Sequence, residues 1–162
     1  YLLGMNMSRL NTNILIQLFG MMGVICSLIF VGLEMRQSQR IALVNQMQQR
    51  SYSASATINS STEANLDWYS HQFNVEYNSE FSTEDKAVRN ILNVNWFIYE
   101  ADYFQYTQGL MTEEVWQAKL RGIAINLKRC DNQEIYQKRV GLVEEGFKII
   151  LENIPFQCEK SL

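Results

Sequence analysis

The chain has 162 residues, 47% of them hydrophobic and 19% charged, with a formal net charge of −3. One Pro and 8 Gly exclude collagen-like and Pro-rich low-complexity classes, three Cys are too few for a disulfide scaffold, and one His excludes a multi-histidine metal site. The length accommodates one compact domain plus an appendage.

The sequence opens on Tyr1, with Met5 and Met7 close behind, as expected of a fragment or of a translation begun upstream of the true start. Residues 1–4 therefore carry no functional weight, and 1–13 read as a short N-terminal tail. Residues 14–33 then contain no charged side chain, only Gln17, Cys26 and Ser27 being polar. As a helix this run rises about 30 Å, the thickness of a hydrocarbon core. A cleaved signal peptide would have a shorter apolar stretch of about 7–15 residues and a small-residue cleavage site. Here Leu33-Glu34-Met35-Arg36 follows instead, so a retained transmembrane helix is predicted over 14–33. Gly20, Gly23 and Ser27 recur at spacings of three and four, and Gly23-xxx-Ser27 fits the small-xxx-small pattern by which membrane helices approach closely. These three residues are the predicted helix–helix interface, with a second copy or another protein as partner. Plain membrane-helix composition is the alternative.

Arg9 alone flanks the span on its N-terminal side, against Arg36, Arg40 and Arg50 on the other. That bias favours a cytoplasmic C-terminal domain, and Cys130 and Cys158 need no pairing in a reducing cytosol. Residues 9–50 hold four Arg and one Glu, a net of +3; residues 51–162 hold ten basic and sixteen acidic residues, a net of −6. A basic collar suits anionic lipid headgroups. The acidic remainder argues against nucleic-acid binding.

Beyond the span, 34–60 is predicted to be a juxtamembrane helical extension, continuous with the membrane helix to about residue 57. Gln, Arg, Leu and Met dominate its first half. The Ser/Ala/Thr-rich stretch 51–62 has two readings. Ser60-Ser61-Thr62-Glu63 has capping-box spacing and would start a new helix; alternatively, the small residues line a tightly packed helix contact. A helical domain over 61–154 follows, with 155–162 as a C-terminal tail. Its expected elements are a helix over 61–75, a loop over 77–80 and a helix from the Ser82 N-cap to about Gln108. That helix carries Ile91, Val94, Phe97, Ile98, Ala101 and Phe104 on one face, with Gly109 as its cap. Thr112 opens the next helix, and Asp131-Asn132-Gln133-Glu134 opens a last one ending near Asn153, ahead of Pro155. No alternating β-branched run appears. The fold class predicted is all-α: one transmembrane helix continuing into a small antiparallel bundle of three to four helices.

Little catalytic chemistry is legible. A di-iron bundle needs two Glu-x-x-His pairs, whereas His71 stands alone, so no metal and no cofactor are expected and no catalytic residue is named. Glu100 is expected to be buried against a Tyr hydroxyl or a helix end. His71 reads as a surface residue, and Cys130, beside Lys128 and Arg129, as a plain helix-end thiol whose neighbours would lower its pKa. Lys119, Arg121, Lys128, Arg129, Lys138 and Arg139 read as a solvated face, with a contact surface for an acidic partner as the alternative. Glycine-rich phosphate loops are absent.

Ser27-Leu28-Ile29-Phe30-Val31-Gly32-Leu33-Glu34-Met35-Arg36-Gln37, followed at a distance by Gly109-Leu110-Met111-Thr112-Glu113-Glu114-Val115-Trp116, resembles an uncharacterised family of small bacterial single-pass membrane proteins with a helical C-terminal domain. The resemblance spans most of 14–150 and implies a bacterial inner-membrane protein, without implying a functional residue. The expected function is a non-enzymatic, membrane-anchored accessory or scaffold subunit, whose partners are the lipid bilayer and a homo-oligomer or larger membrane complex. The alternative is a small-molecule sensor or enzyme with an aromatic pocket at Trp96, Tyr99, Tyr103 and Tyr106.

Overall fold

The computed structural model describes residues 7–73 and 81–155, with side chains from residue 12 onwards. The expected loop at 77–80, Cys158 and nearly all of the C-terminal tail lie outside the described residues. Those described form α1 (Met7–Glu63), α2 (Trp68–Gln72), α3 (Thr83–Thr107) and α4 (Glu113–Leu127), a 3₁₀ turn (Cys130–Asn132), α5 (Gln133–Arg139) and α6 (Glu145–Glu152), with no strand among them. The protein is all-helical, with one long apolar N-terminal helix. It divides into two compact units, Tyr1–Ala42 and Leu43–Leu162.

In the first unit the large apolar side chains between Ile14 and Leu33 are all 51–72% exposed. An 18-residue window here has a mean hydropathy of 2.5 and no buried residue. One described helix is thus long and apolar enough to cross a membrane.

The second unit begins on α1, which contributes Val44, Ser51 and Ile58 to its buried set at seven-residue spacing, one face of a helix. No new helix starts at Ser60. The hydroxyls of Ser53, Ser55, Thr57, Ser60, Ser61 and Thr62 each donate to the carbonyl four residues back, at 2.9–3.2 Å, which satisfies them without leaving the helix. The small residues serve a helix contact instead: Ser51 Oγ donates to the Phe97 carbonyl of α3 at 3.0 Å. α1 ends where Asn65 takes a left-handed φ of 56° and Leu66 N–H donates back to the Ser61 carbonyl at 2.8 Å. This is the Schellman geometry that Asn tolerates. α2 is accordingly shorter than the helix expected over 61–75, and Asp67 caps it by accepting from Ser70 N–H.

Ser82 and Asp85 form the capping box that opens α3. At its end Gly109 has φ +72° and Leu110 N–H donates to the Gln105 carbonyl at 3.0 Å. The apolar stripe predicted for α3 needs correction: Ile91 and Ile98 are exposed, while Leu92, Trp96, Tyr99 and Tyr103 face the core. Large aromatics outcompete the smaller aliphatics for the interior because each buries more surface. α4 opens on Thr112, as expected, and buries Trp116, Ile123 and Leu127. The single last helix expected from residue 131 is two, α5 and α6, separated by a turn through Gly141 in which Leu142 N–H donates to the Arg139 carbonyl at 2.9 Å. Glycine disfavours helix interiors by about 1 kcal/mol. The core gathers Tyr69, Trp96, Tyr103, Trp116, Phe147 and Leu151 with their neighbours, and α3 packs against α2, α4 and α5.

Candidate functional site

Two buried arginines organise the interior of the second unit. Arg89 Nε donates to Asp67 Oδ1 at 3.2 Å and its Nη1 to Glu134 Oε2 at 2.8 Å. Its guanidinium lies over the Tyr69 and Phe81 rings, 5.2 and 4.5 Å from their centroids. Asp67 is fully buried, and its other oxygen accepts from Ser70 N–H and Ser70 Oγ. Burial would lower the pKa of Arg89, but the bonds to Glu134 and Asp67 reverse this and hold it raised. Next to it, Asn90 fastens three segments. It accepts from Trp68 N–H at 2.9 Å and donates to Thr62 Oγ1 and the Leu66 carbonyl, both at 2.9 Å.

Arg139 is different. Its Nε donates to the neutral Asn93 Oδ1 at 3.2 Å, it lies over Trp68 and Phe97 at 5.3 and 4.4 Å, and its Nη2 has no hydrogen-bond partner among the described residues. Burial lowers its pKa against the opposing pull of Glu100 and Tyr69. The expected solvated basic face thus loses one member, since Arg139 is a core residue. Lys119 pairs with Asp102 at 3.1 Å and Arg129 with Asp131 at 2.6 Å; Arg121, Lys128 and Lys138 are exposed.

The four aromatics predicted to line a pocket each pack against another aromatic ring. Tyr103 stacks on Phe147 at 4.8 Å and Tyr106 on Trp116 at 5.0 Å, while Trp96 meets Tyr99 edge-on at 6.1 Å. Tyr103 reaches a cleft of about 140 Å³ lined by Met47, Glu100, Tyr103, Phe104, Glu144 and Phe147. Gly146 closes against the Tyr103 hydroxyl so tightly that a Cβ would collide with it. Contrary to expectation, no Tyr hydroxyl or helix end satisfies Glu100, whose carboxylate accepts no hydrogen bond among the described residues. Burial raises its pKa, and Arg139 pulls the other way. A shallower groove of about 360 Å³ runs between α1 and α3, past Ser51, Tyr52, Ser55, Val94, Ile98 and Asp102.

Of the other predicted residues, Gly20 and Gly23 have open space around them, and Ser27 Oγ donates to the Gly23 carbonyl at 2.8 Å. The hydroxyl is satisfied within its own helix. His71 is exposed on α2. Cys130 is not the free thiol expected: it is disulfide-bonded, whereas Cys26 is free. Among the described residues no three His, Cys, Asp or Glu side chains converge on a metal-sized space.

Sequence reading missed Arg89, Asn93 and Arg139 as interior groups. A signal was present on α3, where Arg89, Asn93, Trp96, Glu100 and Tyr103 recur at spacings of three and four, placing charge and amide on the same face as the aromatics. No family model, curated protein or solved structure matches this chain.

Proposed function

We propose that the chain is a membrane-anchored, non-enzymatic accessory or scaffold subunit. On this reading residues 14–33 span the bilayer and a small antiparallel helical bundle follows. The protein acts through protein–protein contacts in the membrane and in its second unit. The observation that supports this most is that every large apolar side chain from Ile14 to Leu33 is exposed. Such a surface has to be covered by lipid or by other apolar helices. The unobstructed Gly20 and Gly23, with Ser27 self-satisfied beside them, offer a face on which a neighbouring helix backbone can approach.

Two measurements on the full chain test the reading. Alkaline carbonate extraction should leave the protein in the membrane pellet; release into the supernatant would end the anchor. Native purification in mild detergent should then give a defined homo-oligomer or a stoichiometric complex, and Gly23→Ile should dissolve it. A clean monomer without partners, unaffected by Gly23→Ile, overturns the scaffold reading.

Glu100 favours a second reading, in which the cleft holds a small organic cation. A half-buried carboxylate without a hydrogen-bond donor, among Met47, Tyr103, Phe104 and Phe147 and with Glu144 also in the lining, is suited to an ammonium group carrying a short apolar tail. A short alkylamine should raise the melting temperature of the detergent-solubilised chain, since a ligand of the folded state stabilises it, and should fail to do so in Glu100→Gln. Equal shifts in both proteins would exclude the site.

A further inference from the structure

We infer that the outward face of α4 docks a second copy of this chain, packed antiparallel about a two-fold axis. The inference rests on the scaffold reading above and names the contact that the second unit makes. Val115, Ala118, Gly122 and Ile125 recur along α4 at spacings of three and four, so they share one face of the helix. All four are exposed, Val115 by 46% and Ile125 by 69%. The opposite face already fills the core through Trp116, Ile123 and Leu127. α4 is therefore apolar on two sides, where packing within the fold needs only one.

Gly122 is the residue that the fold itself does not require. Glycine is among the poorest helix formers, and a Cβ at this mid-helix position would meet nothing within 4 Å. A helix from outside explains it. Ala118 and Gly122, one turn apart, let a second backbone approach to about 8 Å, the near end of the range for packed helices. Val115 and Ile125 then bracket the close contact with apolar bulk.

Charge selects the occupant. Glu113, Lys119 and Arg129 are engaged within the chain, with Tyr106 and Gln117, with Asp102 and with Asp131. Glu114, at the start of α4, and Lys128, at its end, are exposed along one edge of the face and form no ion pair among the described residues. An antiparallel copy sets Ala118 against the partner's Gly122, Val115 against the partner's Ile125 and Glu114 against the partner's Lys128, each contact occurring twice. A parallel copy would set like charges side by side. Arg121 falls on the rim near the two-fold, where water and salt screen it from its own copy. A single helix pair is a small interface, but anchoring both copies in one membrane raises the effective concentration of each unit for the other.

The test is zero-length carbodiimide cross-linking of the full chain in lipid vesicles, on an equal mixture of unlabelled and isotopically heavy protein. Along one α4, Glu114 and Lys128 stand about 20 Å apart, so an amide between them can form only between copies. The expected product is a Glu114–Lys128 peptide pair of mixed isotope. Gly122→Leu keeps both reacting groups and should lose that product, while the tryptophan-fluorescence melt is not lowered. The double reversal Glu114→Lys with Lys128→Glu should link again with the roles exchanged, which self-pairing alone allows. No mixed-isotope link in the parent, an undiminished link in Gly122→Leu or no link in the double reversal overturns the inference. If the native oligomer or complex persists while the parent gives no link, the scaffold reading stands and this contact falls; a clean monomer ends both.

Discussion

The two units solve opposite problems with the same polymer. From Ile14 to Leu33, α1 turns every large apolar side chain outward, and the exposed Ser27 hydroxyl bonds to its own backbone. From Leu43 onwards the second unit buries Asp67, Arg89, Asn90, Asn93 and Arg139 among tryptophans and tyrosines. A helix in hydrocarbon gains nothing from hiding its apolar residues, because lipid is as apolar as leucine. A domain in water gains most of its stability that way and can then use buried polar groups to select one packing, provided each finds a partner. The difference is open to direct test, because all three tryptophans, Trp68, Trp96 and Trp116, lie in the second unit. Their fluorescence therefore follows the unfolding of that unit in the full-length protein.

The largest contrast should come from two truncations of similar chemistry. Trp116→Ala removes a side chain that is 2% exposed and should cost about 3–5 kcal/mol in chemical unfolding. Leu28→Ala, which removes an outward-facing side chain, should leave the fluorescence midpoint unchanged within about 0.5 kcal/mol. An equal loss in both would mean that the first unit is part of the second unit's core.

The two arginines sharpen the comparison within the second unit. Arg89→Met leaves the fully buried Asp67 without its counter-charge and should cost about 3–5 kcal/mol. Arg139→Met exchanges a guanidinium whose one hydrogen bond among the described residues is to a neutral amide for an apolar side chain of similar length. A change within about 1 kcal/mol is expected, because an unpaired buried charge is itself costly. Matching losses would show that Arg139 has a counter-charge in solution. Gly109→Ala comes next: its φ of +72° disfavours any Cβ by about 1–2 kcal/mol, and the same melt measures it.

Where the sequence was legible, the information was local. The Ser82 and Thr112 caps and Gly109 each act within one helical turn and appear in the structure as read, and the uncharged run 14–33 lies in a helix long and apolar enough to cross a membrane. The misreadings involve contacts between distant segments. Ser60-Ser61-Thr62-Glu63 has the spacing of a cap, but contact with α3 carries α1 through it. The face of α3 could not be assigned from aliphatics alone, because Arg89, Asn93 and Glu100 share the inward stripe with the aromatics. Arg139 looked like one more surface cation beside Lys138. Only the fold brings it to Asn93, Trp68 and Phe97. The cleft at Glu100 was legible only as an aromatic helix with a carboxylate in it. Its closure against Tyr103 by α6, which Gly146 permits, comes from packing between distant segments.

The smallest expected effect is the most informative about that cleft. Burial raises the pKa of Glu100 in the folded state above its unfolded value, so between those two values the folded protein holds the proton more tightly. Any stability gained from this is fully present below the ordinary carboxylate range. It is lost as pH rises through the raised folded value. Glu100→Gln removes the charge at every pH. Its midpoint at neutral pH should therefore rise, by under about 1 kcal/mol given the opposing attraction of Arg139, and the decline of stability from weakly acid to neutral pH should flatten. A variant that is more stable than the parent but no longer responds to an alkylamine would mean that the carboxylate is kept at a cost to the fold for the sake of what it binds. If the variant and the parent melt alike across that pH range, Glu100 is hydrated in the cleft, and nothing then distinguishes it from the other carboxylates of an acidic surface.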